Sequence, residues 1–413
     1  MRLDQLDMLA NEVETEVQPV YREIEARAMV NHARVLEGFH LARTSDYHLK
    51  GSTGYGYNDA GREALEKIYA HVFGAEAALV RGQIVSGTHA IAIALFGLLR
   101  PGDELLAVQG SPYDTLEELI GKRGNATGSL KDLGVGYNQV ELTPEGTLDW
   151  LAVQGALSPG TKVVLVQRSR GYAWRPALTL EELKRLVSFI KTHAPRALVF
   201  VDNCYGELVD TTEPPAVGAD MIAGSLIKNP GGGLAPTGGY VAGHRELVEM
   251  AANRWTAPGI GAEVGPSLGH QRLLFQGIFM APHIVAEALK GAVFAARLFD
   301  RLGFKVSPAY DEPRSDIIQS IALETPQRLV AFCRGIQAAS PIDAHALPEP
   351  DYMPGYENDV IMAAGTFVQG ASLELSADAP LREPYAVYLQ GGLSKEYVRI
   401  GVINAAKNVL KVK

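Results

Sequence analysis

"ALVFVDNCYGELVDTTEPPAVGADMIAGSLIKNPGGG" (Ala197–Gly233) contains two apolar runs, "ALVFVD" and "ADMIAG", that are hydrophobic throughout and not at every second residue. Strands buried on both faces read this way, which points to a parallel sheet covered by helices. The first run ends in Asp202 and the second leads through Ser225 to Lys228. No acidic residue lies within seven positions of Lys228 on either side. Burial without a partner lowers the pKa of an amine towards its neutral, nucleophilic form, so a lysine able to attack a carbonyl is expected there.

Outward from this stretch the same alternation continues. Between about residues 75 and 245 the runs "AALV", "ELLAV", "KVVLVQ" and "GGYVAG" are separated by helical patterns such as "LEELKRLVSFIKTH". The fold class expected is α/β, with a mainly parallel sheet in a large domain. Residues 1–55 read as a helical arm that ends in the glycine-rich break "KGSTGYGYNDAGRE". The large domain is expected over 56–281. From Pro282 a linker helix leads into mixed strands and helices, so 282–413 is expected to form a smaller α+β domain.

Composition narrows the function classes. The 413 residues are 47% hydrophobic and 21% charged, with a formal net charge of −9, so no global field favours nucleic acid or an anionic membrane. An apolar stretch such as "AIAIALFGLL" (Ala90–Leu99) is too short to span a bilayer. The N-terminus lacks a signal-peptide pattern, which makes a cytoplasmic location the expectation. Two cysteines, Cys204 and Cys333, and ten scattered histidines suggest neither a disulfide framework nor a protein-built metal site.

Four features carry chemistry, and their order along the chain matters more than any one alone. Ser86, Gly87 and Thr88 in "RGQIVSGTHA" open a helix, whose free N–H groups and partial positive charge can hold a phosphate. Tyr113 in "QGSPYDTL" follows a strand and can stack on a planar ring. Asp202 stands at a strand's carboxyl end, where open α/β sheets bind ligands, and could keep a pyridine nitrogen protonated. Lys228 comes last, with Ser225 as a further hydroxyl. Ser225-x-x-Lys228 also matches the S-x-x-K signature of acyl-serine enzymes, but the S-x-N and K-T-G triads that accompany it are absent.

The strings "VDNCYGE", "GSLIKNPGGG", "TGGYVAG", "APGIGAEVG" and "YLQGGLS", in this order, resemble the aluminium-resistance protein family. That family is a branch related to the cystathionine and methionine lyases among the fold-type I pyridoxal 5'-phosphate enzymes. The resemblance implies a cofactor held covalently by Lys228, with Asp202 at its ring nitrogen and Tyr113 stacked on the ring. Ser86, Gly87, Thr88 and Ser225 would hold its phosphate. It also implies a homotetramer, a dimer of dimers with shared sites, in which Tyr55 or Tyr57 reaches the neighbouring chain's cofactor. Lys228, Tyr113 and Tyr57 would be the catalytic groups of a carbon–sulfur lyase acting on an amino acid by β- or γ-elimination. Two departures stand out. Related lyases carry a Thr directly before the Lys, where this chain has Ile227, and an Arg close behind the arm Tyr, where "YGYNDAGR" delays it to Arg62.

An amino-acid substrate needs a cation for its carboxylate, and a bidentate Arg serves best. Arg382 in "SADAPLREPY" and Arg399 in "EYVRIGV" are the candidates, Arg382 preferred because it follows a strand in a loop. Arg168 and Arg170 in "QRSRGYAWRP" are expected at the same mouth, facing a second anionic group. A non-catalytic binding or regulatory protein that keeps the cofactor fold is the competing reading.

Overall fold

The apolar runs of the middle of the chain pair into one seven-stranded sheet. The computed structural model describes residues 3–124, 127–353 and 356–412. Its strands are β1 (Ala77–Arg81), β2 (Glu104–Ala107), β3 (Gly136–Gln139), β4 (Thr161–Gln167), β5 (Leu198–Asp202), β6 (Met221–Ser225) and β7 (Gly239–Gly243). They lie in the order β1-β7-β6-β5-β4-β2-β3. Neighbours from β6 to β3 are parallel, and β7 runs antiparallel to both β6 and β1. The α/β expectation holds. Only β3 lacked an apolar signature: "GYNQ" is an edge strand, half exposed, and a sheet edge does not demand hydrophobic residues on both faces.

Parallel pairing lines up the carboxyl ends of the central strands. Gln167 of β4 lies opposite Asp202 of β5, and Asp202 opposite Ala223 of β6. Whatever follows each strand therefore emerges at one edge, where the helices that cover the sheet begin. Helix Gly87–Leu98 is apolar nearly all round and buried against the sheet, which its composition requires.

A second sheet is antiparallel throughout. It comprises β8 (Val306–Ser307), β9 (Ile318–Ala322), β10 (Val360–Ala363), β11 (Ser376–Pro380) and β12 (Ala386–Gln390), in the order β10-β11-β12-β9-β8. Helices Pro326–Ala339 and Gln271–Arg301 cover it, and helix Lys395–Val409 packs on both.

Two helical expectations change in detail. The long helix begins at Gln271, not Pro282, and runs to Arg301 with Pro282 inside it. It is long and apolar enough to cross a membrane, but most of that apolar stretch is buried between the other elements. The N-terminal helices Leu3–Glu16 and Gln18–Leu41 do not project as an arm. Leu6, Ala10, Val13, Val17, Tyr21 and Ile24 are at most 3% exposed, and each of the Leu, Val and Ile side chains contributes about 1.5–3 kcal/mol relative to exposure. Glu16 pairs with Arg297 and Arg301, which fastens the first helix to the end of the long one.

Candidate active site

The chain turns sharply after β5. Asp202 accepts the Cys204 N–H at 3.1 Å, and the backbone is left-handed at the next residue, Tyr205, with φ of +70°, and again at Leu208, with φ of +61°. A bulky side chain in this region costs about 1–3 kcal/mol, so the surroundings must impose it. The result is that the Tyr205 ring lies beneath the next strand's exit, 4.0 Å from the Lys228 amine.

Lys228 follows β6 by three residues and caps a short turn, Asn229–Gly231. Asn229 fixes this turn by donating to the carbonyls of Tyr205 at 3.1 Å and Glu207 at 2.9 Å. The glycines after it serve packing on the side away from the cavity. A Cβ on Gly231 would stand 1.7 Å from the Leu226 carbonyl oxygen, and one on Gly232 2.3 Å from that of Gly277 in the long helix.

The helix N-terminus arrives from the other side. Ser86 caps helix Gly87–Leu98 by accepting the His89 N–H at 3.0 Å. The first N–H groups of the helix have no partner within it. Gly87 comes so close that a Cβ there would sit 3.1 Å from Cys204 Sγ and 3.5 Å from Ser225 Cβ. Thr88 Oγ1 and the Tyr113 hydroxyl share a hydrogen bond of 2.9 Å. Ser225, 1% exposed, accepts the Ile227 N–H at 3.2 Å, which leaves its own hydroxyl proton to donate.

These parts enclose a cavity of about 260 Å³ at the carboxyl ends of the parallel strands. Ser86, Gly87, Thr88, Tyr113, Asp202, Ser225 and Lys228 all line it. So do Gln167, Tyr172, Cys204, Tyr205 and Tyr356, which sequence reasoning did not select. Burial drives the Asp202 carboxyl up, opposed by Lys228 and the Cys204 N–H. For Lys228 the balance is the reverse of the expectation. Burial disfavours its charge, but the acidic groups folded around it, Cys204, Tyr205, Asp202 and Tyr113, hold it well above its ordinary value. The seven acid-free positions on either side in sequence say nothing of residues brought in by other strands.

The four arginines separate clearly. Arg168 is wholly buried and bonded to Asn203 at 2.8 Å, Asp210 at 2.8 Å and Glu213 at 3.2 Å. Arg170 donates to Ser307 and lies 3.6 Å from Asp316. Arg399 sits on the last helix, bonded to Asn11 at 2.7 Å and lying over Phe294. None of these three lines the cavity, because each guanidinium is engaged in joining elements of the fold. Arg382 is exposed and donates to the carbonyl of Tyr172, a cavity residue, at 2.9 Å. Tyr55 and Tyr57 are 76% and 60% exposed and do not reach this chain's cavity. Arg62 is buried and donates to the carbonyls of Gly56 at 2.7 Å and Gly265 at 3.0 Å, so it shapes the segment that displays them.

A family model described as methionine gamma-lyase matches residues 6–410. The uncharacterized protein YnbB of Bacillus subtilis (strain 168) is 54% identical over 407 residues, covering 98% of this chain and 97% of its own. A solved structure from Listeria monocytogenes, named as a candidate cystathionine beta-lyase involved in aluminum resistance, is 53% identical. It covers 98% of this chain and 100% of its own, with a TM-score of 0.95. Another, named as a carbon-sulfur lyase involved in aluminum resistance from Clostridium novyi, is 47% identical over 98% of this chain and 95% of its own, with a TM-score of 0.94. At 17% identity the pyridoxal-5'-phosphate dependent protein YhfS of Escherichia coli shares the fold alone. Its TM-score is 0.62 over 93% of this chain and 97% of its own.

Proposed function

The chain belongs to the methionine gamma-lyase family and has the fold of pyridoxal-phosphate enzymes of type I, and from that premise we propose that it is a pyridoxal-phosphate-dependent carbon–sulfur lyase. The observation that carries this reading is the convergence of Lys228, Asp202, Tyr113, the Ser86–Gly87–Thr88 turn and Ser225 on one cavity. The donor set suits that cofactor. Lys228 offers an amine for its aldehyde, Asp202 a buried carboxylate for its ring nitrogen, and Tyr113 an aromatic face. A helix N-terminus closely packed at Gly87, flanked by two serine hydroxyls, suits a phosphate.

Bound there, pyridoxal phosphate supplies an electron sink for charge developing at the substrate's α-carbon. The chain's residues do the rest. Lys228 would hold the cofactor, and its amine is the group placed to remove the substrate's α-proton. Asp202 keeps the proton on the ring nitrogen. The ring of Tyr205 keeps the Lys228 amine in place when it is free. Cleavage of the α C–H and C–S bonds releases a thiol, and hydrolysis with one water yields a 2-oxo acid and ammonium. Arg382 is the proposed anchor for the substrate carboxylate, since its guanidinium, unlike those of Arg168, Arg170 and Arg399, donates to a residue that lines the cavity. The exposed Tyr55 and Tyr57 are proposed to complete the site of a neighbouring copy in a cytoplasmic homotetramer.

The test is release of 2-oxo acid, ammonium and thiol in equal amounts from sulfur amino acids. Turnover should vanish in Lys228→Ala. In Arg382→Ala the KM should rise about 10- to 100-fold, the value of a charged hydrogen bond, with a smaller change in kcat. A holoprotein that releases no 2-oxo acid from any such substrate would favour the binding or regulatory alternative.

A further inference from the structure

Beyond the walls formed by Tyr172, Tyr205 and Tyr356 lies a second cavity of about 740 Å³, which these three tyrosines share with the first. Its far side is built by β11, where Ser376 and Asp378 stand two residues apart and so face the same way. Both are buried, at 2% and 5% exposure. The Ser376 hydroxyl has no hydrogen-bond partner. Asp378 receives the Tyr172 hydroxyl at 3.0 Å and the Gln390 amide at 2.6 Å, both on Oδ2. Neither partner carries a charge.

A buried carboxylate met only by neutral donors, beside an unpartnered hydroxyl, is costly unless something else completes it. Burial pushes the Asp378 carboxyl up to about 6, opposed by the Tyr172 and Gln390 hydrogen bonds and by the charge of Lys228. The chamber is large, walled in part by Met362 and Phe367, and opens beside the cavity where the reacting carbon would sit.

We propose that this chamber receives the sulfur-bearing side chain of the substrate, and that the substrates it favours end in a protonated amine that donates to both the Asp378 carboxylate and the Ser376 hydroxyl oxygen. The assignment rests on the lyase reading and narrows it: the thiol that leaves carries an ammonium group.

Two pairs of amino acids test this in the holoprotein. L-Lysine and L-2-aminoheptanoate have the same length, differ in an ammonium against a methyl end, and contain no sulfur to eliminate, so they report binding alone. L-Lysine should bind about 10-fold or more tightly by calorimetry, and Asp378→Asn should abolish that preference while Asp378→Glu keeps part of it. Equal binding of the two in the native protein, or a loss in Asp378→Asn that is the same for both, would overturn the assignment and leave Asp378 as a support for Tyr172. S-(2-aminoethyl)-L-cysteine and S-propyl-L-cysteine, assayed in parallel for 2-oxo acid, should show the same preference in kcat/KM. If other sulfur amino acids are cleaved and neither of these is, the chamber assignment fails; if no sulfur amino acid is cleaved, the lyase reading fails, and the binding pair still decides whether the chamber takes a cation.

Discussion

Tyr205 shows how much of a site can rest on one backbone angle. Its left-handed conformation brings the ring under the Lys228 amine, and nothing in "DNCYG" announces it, because glycine or asparagine is the residue expected at such an angle. Asp202, Ser225 and Lys228 were legible because each ends or follows a strand that the apolar pattern marks. Arg382 could not be told from Arg168, since the carboxylates that engage Arg168 are Asp210 and Glu213, reached only when the chain folds back. Glu207 offers a test at this scale. It lies against Gly224 of β6, receives the Tyr240 hydroxyl at 2.8 Å, and leaves Oε2 without a partner. Burial pushes its carboxyl up to about 8 from an ordinary 4.5. Between those values the folded chain holds a proton that the unfolded chain has lost, so this group's contribution to stability falls as pH rises through the window. Glu207→Gln, which cannot ionise, should gain in Tm over the native protein by a few degrees more at about pH 8 than at about pH 5. A difference in Tm that stays constant with pH would mean that Glu207 is not held protonated.

Among the elements, the strands and the phosphate-turn helix follow from local pattern, whereas the turn after Lys228 depends on a neighbour far along the chain. Gly231 is small because the Leu226 carbonyl faces it, and Gly232 because the long helix passes at Gly277. No local reading could supply that, as the contact joins residues more than forty positions apart. Gly231→Ala therefore should be felt at the site without touching it. The added methyl has backbone on one side and Ala235 on the other, and overpacking of this kind costs about 1–3 kcal/mol. Thermal unfolding should occur at lower temperature and the affinity for pyridoxal phosphate should fall; an unchanged Tm would show that the loop has slack the packing does not suggest.

For the whole molecule, the α/β class follows from patterning, while the order of strands in the sheet and the packing of the N-terminal helices do not. Their spacing revealed an apolar stripe but not its partner, the long helix and the last one. A comparable stripe is still uncovered: Tyr55, Tyr57, Val85 and Leu268 are each more than half exposed, and the backbones of Ser52 and Tyr55 pair with those of Leu268 and Gly265 to hold that face together. If a second copy covers it, sedimentation should give a mass four times that of the 44.4 kDa chain, and a monomer would remove the shared-site proposal. The central claim, however, concerns one lysine. Borohydride reduction of the protein equilibrated with pyridoxal phosphate, followed by mass spectrometry of its peptides, should find a single pyridoxyl-phosphate adduct on Lys228. An unlabelled Lys228, or label spread over surface lysines, would contradict the account.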